Sequence, residues 1–183
     1  MTQQMIENRD RFISVFKENI KRDGSERLLE WLCSSKCDFF TATDVKGKEG
    51  GLIAHSLRVY DLLCDYLKNT EVGKRLRDCM GREFTGESIA IASLLHDIYK
   101  IKTYRKDGDA LIEDVVPYGA AEKSVYMISG FMRLSDDEAF AIRYHKGFSA
   151  GATDDRKTIG SALEKFSLAY ALSVVEMAAS FFE

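Results

Sequence analysis

Five ionisable side chains sit in otherwise apolar stretches, and all three histidines of the chain are among them. His55 lies in GGLIAHSLRVYDLL and shares a helical stripe with Leu52, Val59 and Leu62. His96 and Asp97 close the run IAIASLLHD, His145 follows Ala141 and Ile142 on an apolar helix, and Glu176 stands among Leu172, Val175 and Ala179. Taken singly, each has an ordinary reading: a hydrogen-bonded core histidine, or a glutamate at a helix edge. Neighbours on a helix point about 100° apart, so His96 and Asp97 converge only on an ion at the seam between them. Taken together they describe different chemistry. A buried, unpaired carboxylate is costly, so it takes up a proton or finds a cation. Two imidazoles and two carboxylates from three helices (His55, His96, Asp97 and Glu176) suit one divalent cation.

Those groups must be carried by helices. Residues 4–21 read as an amphipathic helix, with Ile6, Phe12, Ile13, Phe16 and Ile20 near one face. DGS at 23–25 breaks it, and Ser25 caps a second helix, ERLLEWLCSSK. A loop over 38–51 ends in a glycine pair that feeds a strong helix over 52–68, and 70–84 reads as a short helix and a loop. Thr85 or Gly86 opens the next helix, with Glu87 favourable near its start. IKTYRKDGDALIEDVV at 101–116 predicts a small hairpin ending at Pro117. AEKSVYMISGFMRL is a helix, and Ser135 caps DDEAFAIRYHKG, which Gly147 stops. A polar loop over 147–157 precedes a last helix over 158–182, too short and interrupted to read as a membrane span. The expected architecture is all-α with a minor hairpin.

Bulk properties narrow the classes. At 183 residues and 45% hydrophobic content the chain fits one domain with a sizeable core. A net charge of -3 argues against a general nucleic-acid or anionic-membrane binder. The N-terminus lacks the apolar run of a signal peptide. Cys33, Cys37, Cys64 and Cys79 form no CxxC pair and read as reduced, mostly buried thiols, which places the protein in the cytoplasm.

With these residues in order, the chain resembles the HD-domain metal-dependent phosphohydrolases. Their pattern is a histidine on one helix, a His-Asp doublet ending the next main helix, and an aspartate on a late helix. GGLIAHSLRV, ASLLHDIYK and SVVEMAASFFE fall in that order, and PYGAAEKSVY and YHKG match an uncharacterised bacterial and phage subgroup. The resemblance spans roughly 25–182. It implies one HD-like domain over 1–183, with the helix of 1–24 peripheral. It implies His55, His96 and Asp97 as ligands of one divalent ion (Mn, Fe, Co, Ni, Zn or Mg), with Glu176 at the late aspartate position. It departs from the subgroup at Val45, Lys46, Ala120 and Ser173, where relatives often carry histidine, so a two-metal site looks depleted.

The activity implied is hydrolysis of a nucleotide or other small phosphate ester by a metal-activated water, with Asp97 among the catalytic groups. Lys100, three past Asp97, and Arg58, three past His55, are expected to face the phosphate. Lys123 is a further substrate-binding candidate, and His145 is expected to contact phosphate or donate a proton. Each lysine or arginine has a plainer reading as a solvated surface charge. Glu49 is a candidate to orient His55, and Tyr99, Tyr104 and Tyr118 to line a base-stacking wall, although packing is the simpler reading. GKEGG lacks Walker spacing and is no P-loop. The alternative is a degenerate scaffold that binds a ligand or partner without turnover. Neither membrane nor general nucleic-acid partners are expected, and a homo-oligomer is compatible with the sequence.

Overall fold

The computed structural model describes residues 1–78, 85–114, 120–149 and 156–182. Cys79, Pro117, Tyr118 and most of the expected 147–157 loop lie outside the described residues. The helices are α1 (Gln3–Asn19), α2 (Ser25–Cys33), α3 (Gly51–Asn69), α4 (Glu71–Asp78), α5 (Gly86–Leu95), α6 (Ala120–Ser129), α7 (Asp136–Arg143), α8 (Arg156–Lys165) and α9 (Ser167–Phe181). One antiparallel hairpin, β1 (Tyr104–Asp107) with β2 (Ala110–Glu113), turns at Gly108 and pairs Tyr104 with Glu113. The all-α class with a small hairpin therefore holds. No described helix is long and apolar enough to cross a membrane.

The bundle is built around α5. Every residue from Ser88 to Leu95 is buried, so this helix has no solvent face and must be enclosed by others. Helix α3 packs along α5 and α9, and α7 packs against α9 and α5. Thr85 caps α5, its hydroxyl accepting from the Ser88 amide at 3.2 Å. The buried Ser93 hydroxyl satisfies itself on the Ile89 carbonyl at 2.7 Å. Helix α1 adds Phe12 and Phe16 to the core, where Phe12 meets Phe39 and Phe40 edge-on at 5.1 and 5.8 Å. At the far end of α5, Arg22 donates to both carboxylate oxygens of buried Glu138 at 2.7 Å, and Glu138 also takes the Ser88 hydroxyl at 2.8 Å.

Three sequence expectations are corrected. The last helix is two helices, because Phe166 is extended (φ -118°, ψ 99°). Its buried ring stacks on Phe140 at 4.3 Å, which turns α8 away while α9 enters the core. Helix α7 stops at Arg143, so His145 lies in the turn beyond it and not on the helix. Of the three described thiols, Cys37 is buried and Cys64 half-buried, but Cys33 is exposed.

Candidate metal centre

His55 reaches the core from the first turns of α3, and the preceding loop fixes where that helix starts. The Asp44 carboxylate accepts the amides of Lys46 and Lys48 at 2.9 and 2.8 Å, folding the loop back on itself. Its second oxygen lies so close to Gly51 that an added Cβ would sit 2.0 Å away. Glycine at 51 is therefore what allows the acid and the helix start to touch.

His96 and Asp97 come from the opposite direction, at the end of α5. The last turn of a helix leaves carbonyls without amide partners. His96 fills one of them: its Nδ1 donates to the Ser93 carbonyl at 2.8 Å. His145 repeats the arrangement after α7, with Nδ1 donating to the Ile142 carbonyl at 2.7 Å. Gly147 (φ +52°) then lets this turn approach α9, since an added Cβ would stand 3.3 Å from Ser173. Both histidines thus commit Nδ1 to a carbonyl and aim Nε2 inward. Glu176 enters from α9, and its Oε1 accepts from Ser180 Oγ one turn later, at 3.1 Å.

These atoms meet. Glu176 Oε2 lies 3.0 Å from His55 Nε2 and 3.4 Å from His96 Nε2. Asp97 Oδ2 lies 3.8 Å from His55 Nε2 and 3.5 Å from His96 Nε2. One ligand atom from each of His55, His96, Asp97 and Glu176 falls within 4.8 Å of every other. Among the described residues no other His, Cys, Asp or Glu group has this form. His145 Nε2 faces the other oxygen, Asp97 Oδ1, at 3.4 Å.

The donor set fits a cation on physical grounds. His96 Nε2, Asp97 Oδ1 and His145 Nε2 are buried and have no hydrogen-bond partner among the described residues. With Nδ1–H committed to a carbonyl, a neutral imidazole turns a lone pair toward the carboxylates. Such a contact is repulsive until a proton or a metal lies between. Burial alone lowers the His96 pKa, but Asp97 and Glu176 override it and hold His96 up at about 10. For Asp97 burial works upward, yet Lys100 and His96 bring it well below the usual carboxylate range. Glu176 is likewise lowered against its burial, by His55 and His96. His145 remains depressed by burial despite Asp97. A proton on His96 Nε2 is thereby favoured, since it lies between the carboxylates of Asp97 and Glu176.

Around this centre the expected substrate groups separate. Lys100 Nζ lies 2.5 Å from Asp97 Oδ2. The turn carrying it is anchored by Ser124, whose hydroxyl accepts the Tyr99 amide at 3.1 Å, and by Thr103, which donates to the Tyr99 carbonyl at 3.0 Å. A pocket of about 70 Å³ opens over His55 and Asp97, bounded by Val45, Lys46, Lys100 and Ser180. A second, of about 200 Å³, adjoins Glu176, with Tyr104, Lys146, Met177 and Phe181 in its walls. Val45, Lys100 and Ser180 border both, so the two adjoin.

Arg58 and Lys123 are not in either wall. Arg58 is exposed and donates to the Phe182 carbonyl at 3.1 Å, and Lys123 is half-buried on α6. His145 is fully buried and faces Asp97, not the open space. Glu49 is exposed on its loop, and Tyr99 is buried beneath Lys100 and Lys146. Sequence reasoning missed Ser180, Asp44 and Lys146. The four-residue spacing from Glu176 points to Ser180, and a loop aspartate before KGK points to Asp44. Nothing local marks Lys146.

The family model described as HD domain matches residues 52–173, which takes in His55, His96, Asp97 and His145 and stops three residues before Glu176. No curated protein and no solved structure gives a significant match.

Proposed function

We propose that this chain, which belongs to the HD-domain family, is a metal-dependent phosphohydrolase acting on a small phosphate ester, with nucleotides among the candidates. The observation that carries this reading is the cluster of His55, His96, Asp97 and Glu176, with its orphaned Nε2 and carboxylate oxygen, at the foot of a solvent-reaching pocket. These four residues would hold the ion. Once bound, a divalent cation polarises a phosphoryl oxygen and lowers the pKa of water.

The chain's own residues supply the rest. Lys100 borders the pocket and stands beside Asp97, so its ammonium is placed to meet the charge that grows on the phosphoryl oxygens. The carbonyl of Ser93 fixes the His96 tautomer, and Ser180 fixes the Glu176 rotamer. His145 acts through Asp97, whose Oδ1 it faces, and not on the ester. Arg58 and Lys123 receive no substrate contact in this reading.

A second reading is favoured by Ser173, where subgroup relatives often carry histidine. Its hydroxyl is tied to the Tyr170 carbonyl at 2.8 Å and offers no ligand. A scaffold that binds a ligand without turnover would follow. Elemental analysis of the purified protein, then p-nitrophenyl phosphate turnover with Mn²⁺, Co²⁺ or Ni²⁺, separates the two. The hydrolase reading expects about one metal per chain and turnover abolished by His96→Ala. Metal without turnover favours the scaffold, and neither metal nor turnover overturns the metal centre itself.

A further inference from the structure

We propose that Lys146 anchors a second anionic group of the substrate, so that the site selects esters carrying one phosphate at the metal centre and another phosphate or a carboxylate beyond it. This rests on the phosphohydrolase reading and narrows its substrate class.

The two lysines at the site are compensated very differently. Lys100 is matched by Asp97 at 2.5 Å. Lys146, in the turn after His145, is half-buried and has no carboxylate partner among the described residues. Its ammonium donates to the Tyr99 hydroxyl at 3.2 Å and lies 5.8 Å from that ring's centroid. A phenol and a ring face attract a cation but do not neutralise it. A partly desolvated cation bordering a pocket therefore calls for an anion from outside. Tyr99 is itself a fixed post, pinned through its amide to Ser124 and through its carbonyl to Thr103. Lys100 Nζ also lies 5.8 Å from the Tyr99 centroid, so both ammoniums flank one ring.

The pockets give the order of groups. The inner space of about 70 Å³ is little more than the share of two waters in the liquid, ~30 Å³ each, and takes a phosphoryl-sized group. Lys100 borders both spaces, so a group joined to the phosphoryl and passing Lys100 would enter the adjoining space of about 200 Å³. That volume is below the ~300 Å³ where pockets for drug-sized ligands begin, so its walls enclose only a small group next to the phosphoryl. Val45, Met177 and Phe181 form the apolar part of its wall. The Glu176 carboxylate also borders it, but its oxygens are engaged by His55 and Ser180. Lys146 is the cation left to read a charge on the leaving group.

Calorimetric titration with three probes in the presence of Mn²⁺ tests this: glycerol 3-phosphate, with no second anion; 3-phosphoglycerate, with a carboxylate; and propane-1,3-diol bisphosphate, with a second phosphate. At least one of the two probes with a second anionic group should bind about tenfold or more tighter than glycerol 3-phosphate, and the tighter of them names the anion. Lys146→Gln should erase that difference while leaving glycerol 3-phosphate within about twofold, and Lys146→Arg should keep most of it. Equal affinities for all three probes in the unaltered protein would overturn the proposal. So would a preference that persists in Lys146→Gln, or an equal loss for every probe. Because binding is read directly, the selectivity can fail while p-nitrophenyl phosphate is still turned over, or stand while it is not.

Discussion

His96 Nε2 and Glu176 Oε2 face each other across 3.4 Å at the base of the pocket, and the imidazole has already spent its Nδ1–H on the Ser93 carbonyl. The gap admits a proton or a metal ion. The choice between them makes metal loading a proton exchange.

Loading should release a proton and strengthen with pH. His96 is held up at about 10 by Asp97 and Glu176 in the metal-free protein, so it must give up its proton to become a ligand. Apparent affinity for Mn²⁺ or Zn²⁺ should rise about tenfold per pH unit across the neutral range. Calorimetry in buffers of different ionisation enthalpy should count about one proton released per ion. Affinity independent of pH would mean that His96 is already neutral.

The same shifts set a stability profile for the metal-free protein. A histidine raised above its ordinary value stabilises fully below about 6.5, and His96 loses that contribution as pH climbs toward about 10. Asp97 and Glu176 are depressed, so their contribution is present above the ordinary carboxylate range and is lost as pH falls. His145, depressed by burial, acts on the acid side as well, because only the unfolded chain takes up its proton. Melting temperature should peak near pH 6.5 and fall in both directions. Saturating Mn²⁺ should raise the alkaline arm most, since metal replaces the proton that His96 loses there. A flat alkaline arm without metal would contradict the imidazolium.

Lys100 is predicted to pull binding and turnover apart. Its ammonium lies on the Asp97 oxygen that faces His55 and His96, where it competes with an incoming ion. Lys100→Met should leave Mn²⁺ affinity equal or tighter. Turnover of p-nitrophenyl phosphate should nonetheless fall roughly 10²-fold, the scale of removing one group that stabilises developing charge. Parallel loss of both would recast Lys100 as support for the site's structure.

How much of this was legible in the sequence follows the range of the forces involved. Thr85 and Ser135 announce their helices through local hydrogen bonds, and both caps form, whereas the expected Ser25 cap does not: Ser25 is the first residue of α2, behind Gly24, and no side chain caps that helix. Apolar spacing brings His55, His96, Asp97 and Glu176 inward, since burial of the stripe decides which face turns to the core. What the sequence hides is set by contacts distant in the chain. Phe166 breaks the final helix because Phe140 offers it a ring to stack on. His145 reads as helical but lies beyond α7, because its imidazole takes a carbonyl that another turn would have used. Lys146 becomes a site residue only through Tyr99, 47 positions away. Arg58 has helical spacing from His55 yet projects outward to Phe182.

The far end of α5 offers a control for all of these. Glu138 is fully buried and takes Arg22 through both carboxylate oxygens, the Ser88 hydroxyl and the Ser135 amide, joining the α1–α2 turn to α5 and α7. Removing one partner of a buried pair costs ~3–5 kcal/mol, and the partial exposure of Arg22, 23% of its side chain, places Glu138→Ala at the low end, about 3 kcal/mol. Urea unfolding of the metal-free protein should report that loss. Mn²⁺ affinity of the folded variant should stay within about twofold, because the helix connecting the two ends is packed on all sides. A loss under about 1 kcal/mol would show that water replaces the network readily. A fall in metal affinity alongside it would show that the placement of His96 depends on how the other end of α5 is clamped.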